Sequence, residues 1–158
     1  ILEAFDKYKS SMEKVGKALD TYSNNTLLDK LYFFELCVFI FLTGNSDMHL
    51  KNFSMINNGS EWSLAPAYDL LNVAIVNPDD TEELALTLEG KKKKLKREHF
   101  ERFGKGLDLN DKQIESVFRR MFKNKSVAMQ WIDHSFLSEK YQEKYKELME
   151  ERYLVLSK

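Results

Sequence analysis

An aspartate and an asparagine, Asp47 and Asn52, lie five positions apart in the polar run 44–52, and a second acid, Asp69, follows 17 positions after Asn52. Phosphoryl transfer depends on positioning and charge neutralisation. A loop aspartate can accept the proton of the attacking hydroxyl, and carboxylate and amide oxygens are ligands of Mg²⁺. This pattern predicts a phosphoryl-transfer site with Asp47 as general base and Asn52 and Asp69 as oxygen donors to magnesium.

Each residue in the run also has a simpler interpretation when it is taken alone. A loop aspartate such as Asp47 is usually a turn former, and Asn52 can cap a turn. Lys51 can neutralise phosphate charge or be a solvated cation, and His49 can contact a phosphate oxygen or brace the loop. The combination of spacing, flanking elements and a later acid favours the functional interpretation.

The elements on either side of the run predict how it is positioned. The apolar run 31–42 is interrupted by Glu35 and is shorter than the roughly 20 residues of a membrane span. It therefore predicts a buried helix from a Thr26 cap to about Thr43, with Asp29 completing a capping box. Gly44 is expected to end that helix.

Two short strands, 53–56 and 61–65, are predicted after the run, and Asn58-Gly59 between them is typical of a tight hairpin turn. Because an antiparallel hairpin returns the chain to its starting point, Asp69 is expected to face Asn52. The fold class predicted for the whole chain is mainly α with a small antiparallel β insert. It is expected to form a single domain over residues 1–158.

Helices are expected over most of the remaining chain. An apolar stripe from Ile1 to Tyr22 predicts one long amphipathic helix, and residues 83–88 alternate as a third strand would. Asn110 and Ser138 are candidate helix caps, and Gly104-Lys105-Gly106 is typical of a helix end.

Composition limits the class of protein. Of the 158 residues, 43% are hydrophobic and 31% are charged, and the net charge is −1, which indicates a globular protein and favours neither nucleic acid nor an acidic partner. The single cysteine, Cys37, excludes a disulfide framework and fits a reducing cytoplasmic setting. No membrane segment or signal segment is predicted, and because the chain begins at Ile1 it is expected to be a fragment of a longer protein.

Three segments resemble the HipA-type serine/threonine kinases of bacterial toxin–antitoxin systems. Residues 44–54 (GNSDMHLKNFS) resemble the catalytic loop of these kinases, and residues 66–72 (PAYDLLN) are similar to their metal-binding segment. Residues 84–91 (LALTLEGK) resemble the strand and turn that follow. The resemblance is good from Leu31 to about Arg97 and loose over the helical remainder.

This resemblance implies a protein-kinase-like C-lobe that uses ATP and Mg²⁺. It makes Asp47 the catalytic base and Asn52 and Asp69 the metal ligands. The residues expected to line the nucleotide are His49, Leu50, Lys51, Asn52, Tyr68 and Asp69. The implied partners are a protein substrate, a HipB-type DNA-binding antitoxin and, through that antitoxin, DNA; a membrane is not among them.

The sequence departs from an ordinary protein kinase in two respects. Protein kinases place a lysine two residues after the catalytic aspartate, whereas here His49 occupies that position and the lysine is Lys51. The chain also has no Gly-x-Gly-x-x-Gly loop, so the N-lobe is expected to be absent and the fragment to be inactive alone. The alternatives are a catalytically incomplete kinase-fold binding module and a metal-dependent phosphohydrolase using Asp47, His49 and Asp69.

The basic run 91–97 (KKKKLKR) is the other conspicuous polar segment. It could contact nucleic acid phosphates or an acidic partner. A solvated turn after a strand is the favoured interpretation, because charge runs are common on solvated surfaces.

Overall fold

The structure, a computed structural model, describes residues 6–158. In this range the fold is mainly helical, with one two-stranded antiparallel sheet. The helices are α1 (Met12–Tyr22), α2 (Thr26–Leu42), α3 (Arg97–Gly106), α4 (Asp111–Lys123), α5 (Lys125–Asp133) and α6 (Glu139–Leu156); the strands are β1 (Met55–Asn57) and β2 (Trp62–Leu64); and two 3₁₀ turns cover Asp6–Tyr8 and Leu50–Asn52. This agrees with the predicted mainly α fold with a small β insert.

Helix α2 forms the centre of the core, because it is apolar around most of its circumference. Phe33, Phe34 and Phe41 are fully buried, and α2 contacts α1, β2, α4 and α6. The rings of Phe33 and Phe34 pack against aromatic rings of α3 and α4. Truncating one of these rings to alanine would cost about 3–5 kcal/mol of folding free energy, so the helix that leads into the polar loop is rigidly held.

The start of α2 differs from the predicted capping box. Asn25 is the N-cap, and the Asp29 carboxylate accepts hydrogen bonds from the Ser23 hydroxyl at 2.6 Å and from the Leu64 N–H at 2.8 Å. The Asp29 side chain therefore fastens β2 to the helix. A buried carboxylate needs hydrogen-bond donors, and these can come from any segment that packs beside it. The donor on β2 is far from Asp29 in the sequence, so the sequence pattern did not reveal it.

Gly44 follows the C-terminal end of α2, as predicted, in the left-handed conformation with φ +71°. A Cβ at this position would overlap the Leu148 side chain of α6 and would lie 3.0 Å from the Asn72 carboxamide oxygen. The Gly44 carbonyl accepts hydrogen bonds from the Val73 and Ala74 N–H groups at 3.1 and 3.2 Å. The glycine thus lets the segment that follows Asp69 pack directly against the start of the polar loop.

The predicted hairpin is present but shorter than expected. β1 pairs antiparallel with β2, with Met55 opposite Leu64 and Asn57 opposite Trp62. Beyond the assigned strands, the Ala65 N–H still donates to the Ser54 carbonyl at 2.8 Å.

The single long N-terminal helix was predicted wrongly. Helix α1 begins at Met12, because the Ser11 side chain caps it by accepting the Lys14 N–H at 3.3 Å, and a separate 3₁₀ turn, Asp6–Tyr8, precedes it. Ile1 and Phe5, the first members of the apolar stripe, lie outside the described residues.

The third predicted strand does not form. Thr87 makes an isolated bridge to Ser11, and Leu88 makes one to Lys91. Leu84, Ala85 and Leu86 are buried in succession, so the segment lies in the core rather than on one face of a sheet.

The helical termini after residue 100 follow the sequence more closely. Asn110 caps α4 by accepting the Gln113 N–H at 2.9 Å, Ser138 occupies the N-cap position of α6, and α3 ends at Gly106 as predicted. Across residues 6–158, no helix combines the length and the apolar character needed to cross a membrane.

Candidate active site

Asn45 links the loop that carries Asp47 to the segment that carries Asp69. Its carboxamide oxygen accepts the Asp47 N–H at 3.3 Å, and its carboxamide nitrogen donates to the Asp69 carbonyl at 3.1 Å. Asn45 is almost completely buried, so its polar atoms need partners within the protein. One buried amide therefore sets the spacing between the two acids.

Asn52 makes a second link between the same segments. Its carboxamide oxygen accepts the His49 N–H at 3.0 Å, and its carboxamide nitrogen donates to Asp69 Oδ2 at 2.6 Å. The contact between Asn52 and Asp69 that the hairpin predicted is present. It connects positions 17 residues apart in the chain.

Asp69 lies on an exposed segment with a special backbone conformation. Its φ of +56° is left-handed, a conformation that aspartate tolerates better than most side chains. Tyr68, the residue before it, is held in place by a hydrogen bond from its O–H to the Lys51 carbonyl at 2.9 Å. The Asp69 carboxylate is thus directed at the loop with Oδ1 free of the Asn52 contact.

Asp47 is partly exposed and is contacted by a residue far away in the sequence. The Tyr8 hydroxyl donates to Asp47 Oδ1 at 2.6 Å. This hydrogen bond, followed by burial, raises the pKa of Tyr8. A cavity of about 360 Å³ borders Asp47 and Tyr8, and Asp80, Glu82 and Lys92 also line it. A reactant can therefore reach Asp47 from this side.

The four predicted nucleotide-contacting residues of the loop occupy different environments. His49 and Asn52 are buried, Leu50 is partly buried against the core, and Lys51 is exposed. The His49 ring packs edge-to-face on the Tyr8 ring at 5.2 Å, and its Nδ1 bonds no group of the described residues. Lys51, with the exposed Tyr68 and Asp69, is therefore the part of the predicted set that faces solvent.

Comparison with known proteins identifies the family. The model of the HipA-like C-terminal domain matches residues 1–131. The chain belongs to this family.

Relatives and solved structures extend this assignment. A Haemophilus influenzae protein named "Putative kinase" is 35% identical over 65 residues, which cover 40% of this chain and 19% of the relative. A Sinorhizobium fredii protein named "Putative kinase Y4dM" is 30% identical over 113 residues, which cover 70% of this chain and 27% of the relative. The HipA-like chain thus spans about a fifth to a quarter of the length of these relatives.

The fold is that of a solved HipA protein. HipA of Shewanella oneidensis, determined in a complex with HipB and its operator DNA, matches with a TM-score of 0.72 at 23% identity, over 90% of this chain and 35% of the other. At this level of identity the likeness establishes the fold of the HipA-like domain.

Oxygen atoms of Asp69 and Asn52 are the candidate metal donors of the HipA-like site. Asp69 Oδ1 is free of the Asn52 contact, whereas Asn52 turns its carboxamide nitrogen toward Asp69 and its oxygen toward the His49 N–H. Mg²⁺ is usually bound by one or two protein oxygens, with phosphates and water completing its shell. Within residues 6–158, no three His, Cys, Asp or Glu side chains converge as potential metal ligands.

Sequence reasoning missed two residues of this HipA-like site. Asn45 could have been predicted from the sequence, because it is an amide inside the polar run 44–52. Tyr8 gave no signal of a polar role, since it was counted in the apolar stripe of the predicted N-terminal helix. The 3₁₀ turn places its hydroxyl on Asp47 instead.

Proposed function

We propose that this HipA-like domain is the kinase C-lobe of a serine/threonine protein kinase that transfers the γ-phosphate of ATP to a protein hydroxyl, as the toxin of a toxin–antitoxin module. The observation that carries the proposal is the pair of buried amides, Asn45 and Asn52, which join the Asp47 loop to Asp69. Such a fixed arrangement of one acid beside a cavity and a second acid on a separate segment suits a reaction that depends on positioning.

In the proposed reaction, Asp47 accepts the proton of the substrate hydroxyl. Its Oδ1 is engaged by Tyr8, which leaves Oδ2 for this proton. Asp69, together with Asn52 once its carboxamide oxygen turns toward Asp69, would hold Mg²⁺, which would neutralise charge on the nucleotide phosphates. Lys51 and Tyr68 are exposed, as Asp69 is, and would line the phosphates, together with the backbone of His49 and Leu50.

The remaining parts of a kinase would come from other residues of the full protein. A Gly-rich loop and a lysine paired with a helix glutamate are needed to grip the nucleotide, and residues 1–158 contain no Gly-rich loop of that form. We therefore propose that residues 1–158 form one domain, that they supply the base and the metal ligands, and that they do not phosphorylate a substrate alone.

The proposed partners follow from the solved HipA complex. HipA of Shewanella oneidensis is bound there to HipB and operator DNA. We propose that the full protein containing this domain binds a HipB-type antitoxin and reaches DNA through it.

The test uses the full-length protein with γ-labelled ATP, Mg²⁺ and a cell extract or purified candidate substrates. Asp47→Asn and Asp69→Asn are expected to lower labelling of the substrate by about 10²–10⁴-fold, the usual contribution of a positioned acid or base. Asp79→Asn is the matched control, because Asp79 is exposed and does not line the cavity beside Asp47; it should keep full activity.

Two results would contradict the proposal. One is labelling that survives Asp47→Asn. The other is a wild-type full-length protein that binds nucleotide and antitoxin but labels nothing, and this result would favour the kinase-fold binding module.

A further inference from the structure

Tyr8 contacts both polar side chains at the start of the loop. Its hydroxyl donates to Asp47 Oδ1 at 2.6 Å, across 39 positions of sequence. Its ring packs edge-to-face on His49 with an interplanar angle of 84°. One side chain therefore restrains the acid and the histidine together.

Tyr8 is itself held in place by the surrounding backbone. Its 3₁₀ turn contacts the 3₁₀ turn Leu50–Asn52. Immediately after it, the Met12 N–H donates to the Thr87 carbonyl at 2.9 Å, and the Thr87 N–H donates to the Ser10 carbonyl at 3.4 Å. These bonds tie the Tyr8 segment to the buried chain 84–88, so the hydroxyl approaches Asp47 from a fixed support.

A carboxylate on a loop can rotate, and each rotamer directs a different oxygen at the substrate. The hydrogen bond from Tyr8 occupies Oδ1 and leaves Oδ2 to accept a proton. The cavity of about 360 Å³ is bordered by Asp47 and Tyr8 together, so the tyrosine also forms part of the wall beside the base.

We propose that Tyr8 is a positioning residue of the phosphoryl-transfer site, which orients the Asp47 carboxylate through its hydroxyl and the loop through its ring. This inference rests on the proposed kinase function. It adds a residue from a segment that precedes α1 and that the loop motif does not contain.

The test compares variants of the full-length protein in steady-state phosphorylation of a protein substrate. Tyr8→Phe removes only the hydroxyl and keeps the ring on His49. Misplacement of a catalytic group by about 1 Å can lower the rate by about 10²-fold, so we expect kcat to fall by about 10- to 100-fold. The KM values for ATP and for the protein substrate should stay within about twofold, because Tyr8→Phe keeps the ring that borders the cavity.

Tyr153→Phe is the matched control. Tyr153 also loses a hydrogen bond, from its hydroxyl to the Met121 carbonyl at 3.0 Å, but it lies in α6 and makes no contact with Asp47. It should leave kcat unchanged. A thermal unfolding curve of each variant shows whether a loss of activity reflects a loss of folded protein.

A second measurement tests the contact without any assay of activity. In a protein labelled with ¹³C at the tyrosine ring, the Tyr8 phenol should titrate at lower pH in Asp47→Asn than in wild type, because the hydrogen bond to the Asp47 carboxylate raises the pKa of Tyr8. The other tyrosines should titrate as before.

The outcomes separate this proposal from the proposed function. An active wild type whose kcat is unchanged or raised by Tyr8→Phe overturns the positioning role alone; a raised kcat would mean that the hydroxyl blocks the base. A rise in KM with unchanged kcat also overturns it, since Tyr8 would then bind a reactant. A wild type without phosphoryl transfer overturns the proposed function and the role of Tyr8 with it, whatever the phenol titration shows.

Discussion

The loop 44–52 and the basic run 91–97 are both conspicuously polar in sequence, but the fold treats them differently. In the loop, Asn45, Ser46, His49 and Asn52 are buried. In the run, the lysines are mostly exposed, namely Lys91, Lys93, Lys94 and Lys96. Polarity alone does not distinguish the two segments, whereas burial does.

Burial of polar groups has an energetic consequence. A buried amide without a partner costs about 1–3 kcal/mol, and the loop avoids this cost for Asn45 and Asn52 through bonds to Asp69 and to its own backbone. The exposed lysines of the run need no partners. Of its cations, Lys92 pairs with Glu82 at 3.2 Å, and Arg97 pairs with Glu101 and Glu115. A network of buried polar groups is thus a better indicator of a functional site than a dense run of charged residues.

The largest difference between the two regions is expected when a polar residue in each is replaced by leucine. Asn45→Leu leaves the Asp47 N–H and the Asp69 carbonyl without their partner and should lower the free energy of unfolding by about 2–3 kcal/mol. Lys93→Leu should change it by less than about 0.5 kcal/mol. Urea unfolding followed by circular dichroism measures both.

Equal effects of the two leucine substitutions would contradict the comparison. A loss of stability for Lys93→Leu as large as that for Asn45→Leu would mean that the basic run is packed in solution. If Asn45→Leu has no effect, the two links to the Asp69 segment contribute nothing to stability.

Two glycines with nearly the same backbone conformation give a finer comparison. Gly44 and Gly90 have φ of +71° and +72°, but a Cβ at Gly44 would overlap Leu148, whereas a Cβ at Gly90 would meet nothing within 4 Å. Gly90→Ala should therefore cost about 1–2 kcal/mol, from the left-handed backbone alone. Gly44→Ala should cost about 1–3 kcal/mol more, because it adds overpacking to the same strain.

The double variant Gly44→Ala/Leu148→Ala separates the two terms. If steric overlap is the cause, the second substitution should recover part of the loss, so that the double variant is more stable than the sum of the two single effects predicts. If the stability losses of the two single variants simply add in thermal or urea unfolding, the cost of Gly44→Ala comes from the left-handed backbone and not from overlap with Leu148.

The smallest effect is expected in the basic run. Replacing Lys91, Lys93 and Lys94 by glutamine should leave stability within about 0.5 kcal/mol. Lys92 is kept because it pairs with Glu82. If the run is a solvated turn, the affinity of the full-length protein for an antitoxin–operator complex should not change.

Salt titration of that affinity is the sharper measurement. A lysine that contacts a DNA phosphate contributes close to one unit to the slope of log affinity against log salt. A slope reduced by about three units in the triple variant would show that the run binds nucleic acid, and the solvated-turn interpretation would be wrong.

Local sequence patterns predicted the parts of the fold that depend on neighbouring residues. The apolar composition of 31–42 predicted α2, Asn58-Gly59 predicted the hairpin between β1 and β2, and Asn110 predicted the start of α4; all three are present. The same reasoning was wrong for residues 83–88. Successive side chains are buried there, whereas an alternating strand would bury only every second one. The bond of Asp29 to Leu64 and the hydroxyl contact of Tyr8 were missed, since both join segments that are distant in the chain.

The sequence by itself determined the candidate chemistry of this protein. Asp47, Asn52 and Asp69 are the right residue types at a spacing that resembles the HipA-type loop, and a hairpin between the last two predicted that they would meet. Only the tertiary structure decided how they are held, through Asn45 between the two segments and Tyr8 on the base. The physical reason is that residue type and local propensity are properties of the chain, whereas the partner of a buried polar group depends on which distant segments pack together.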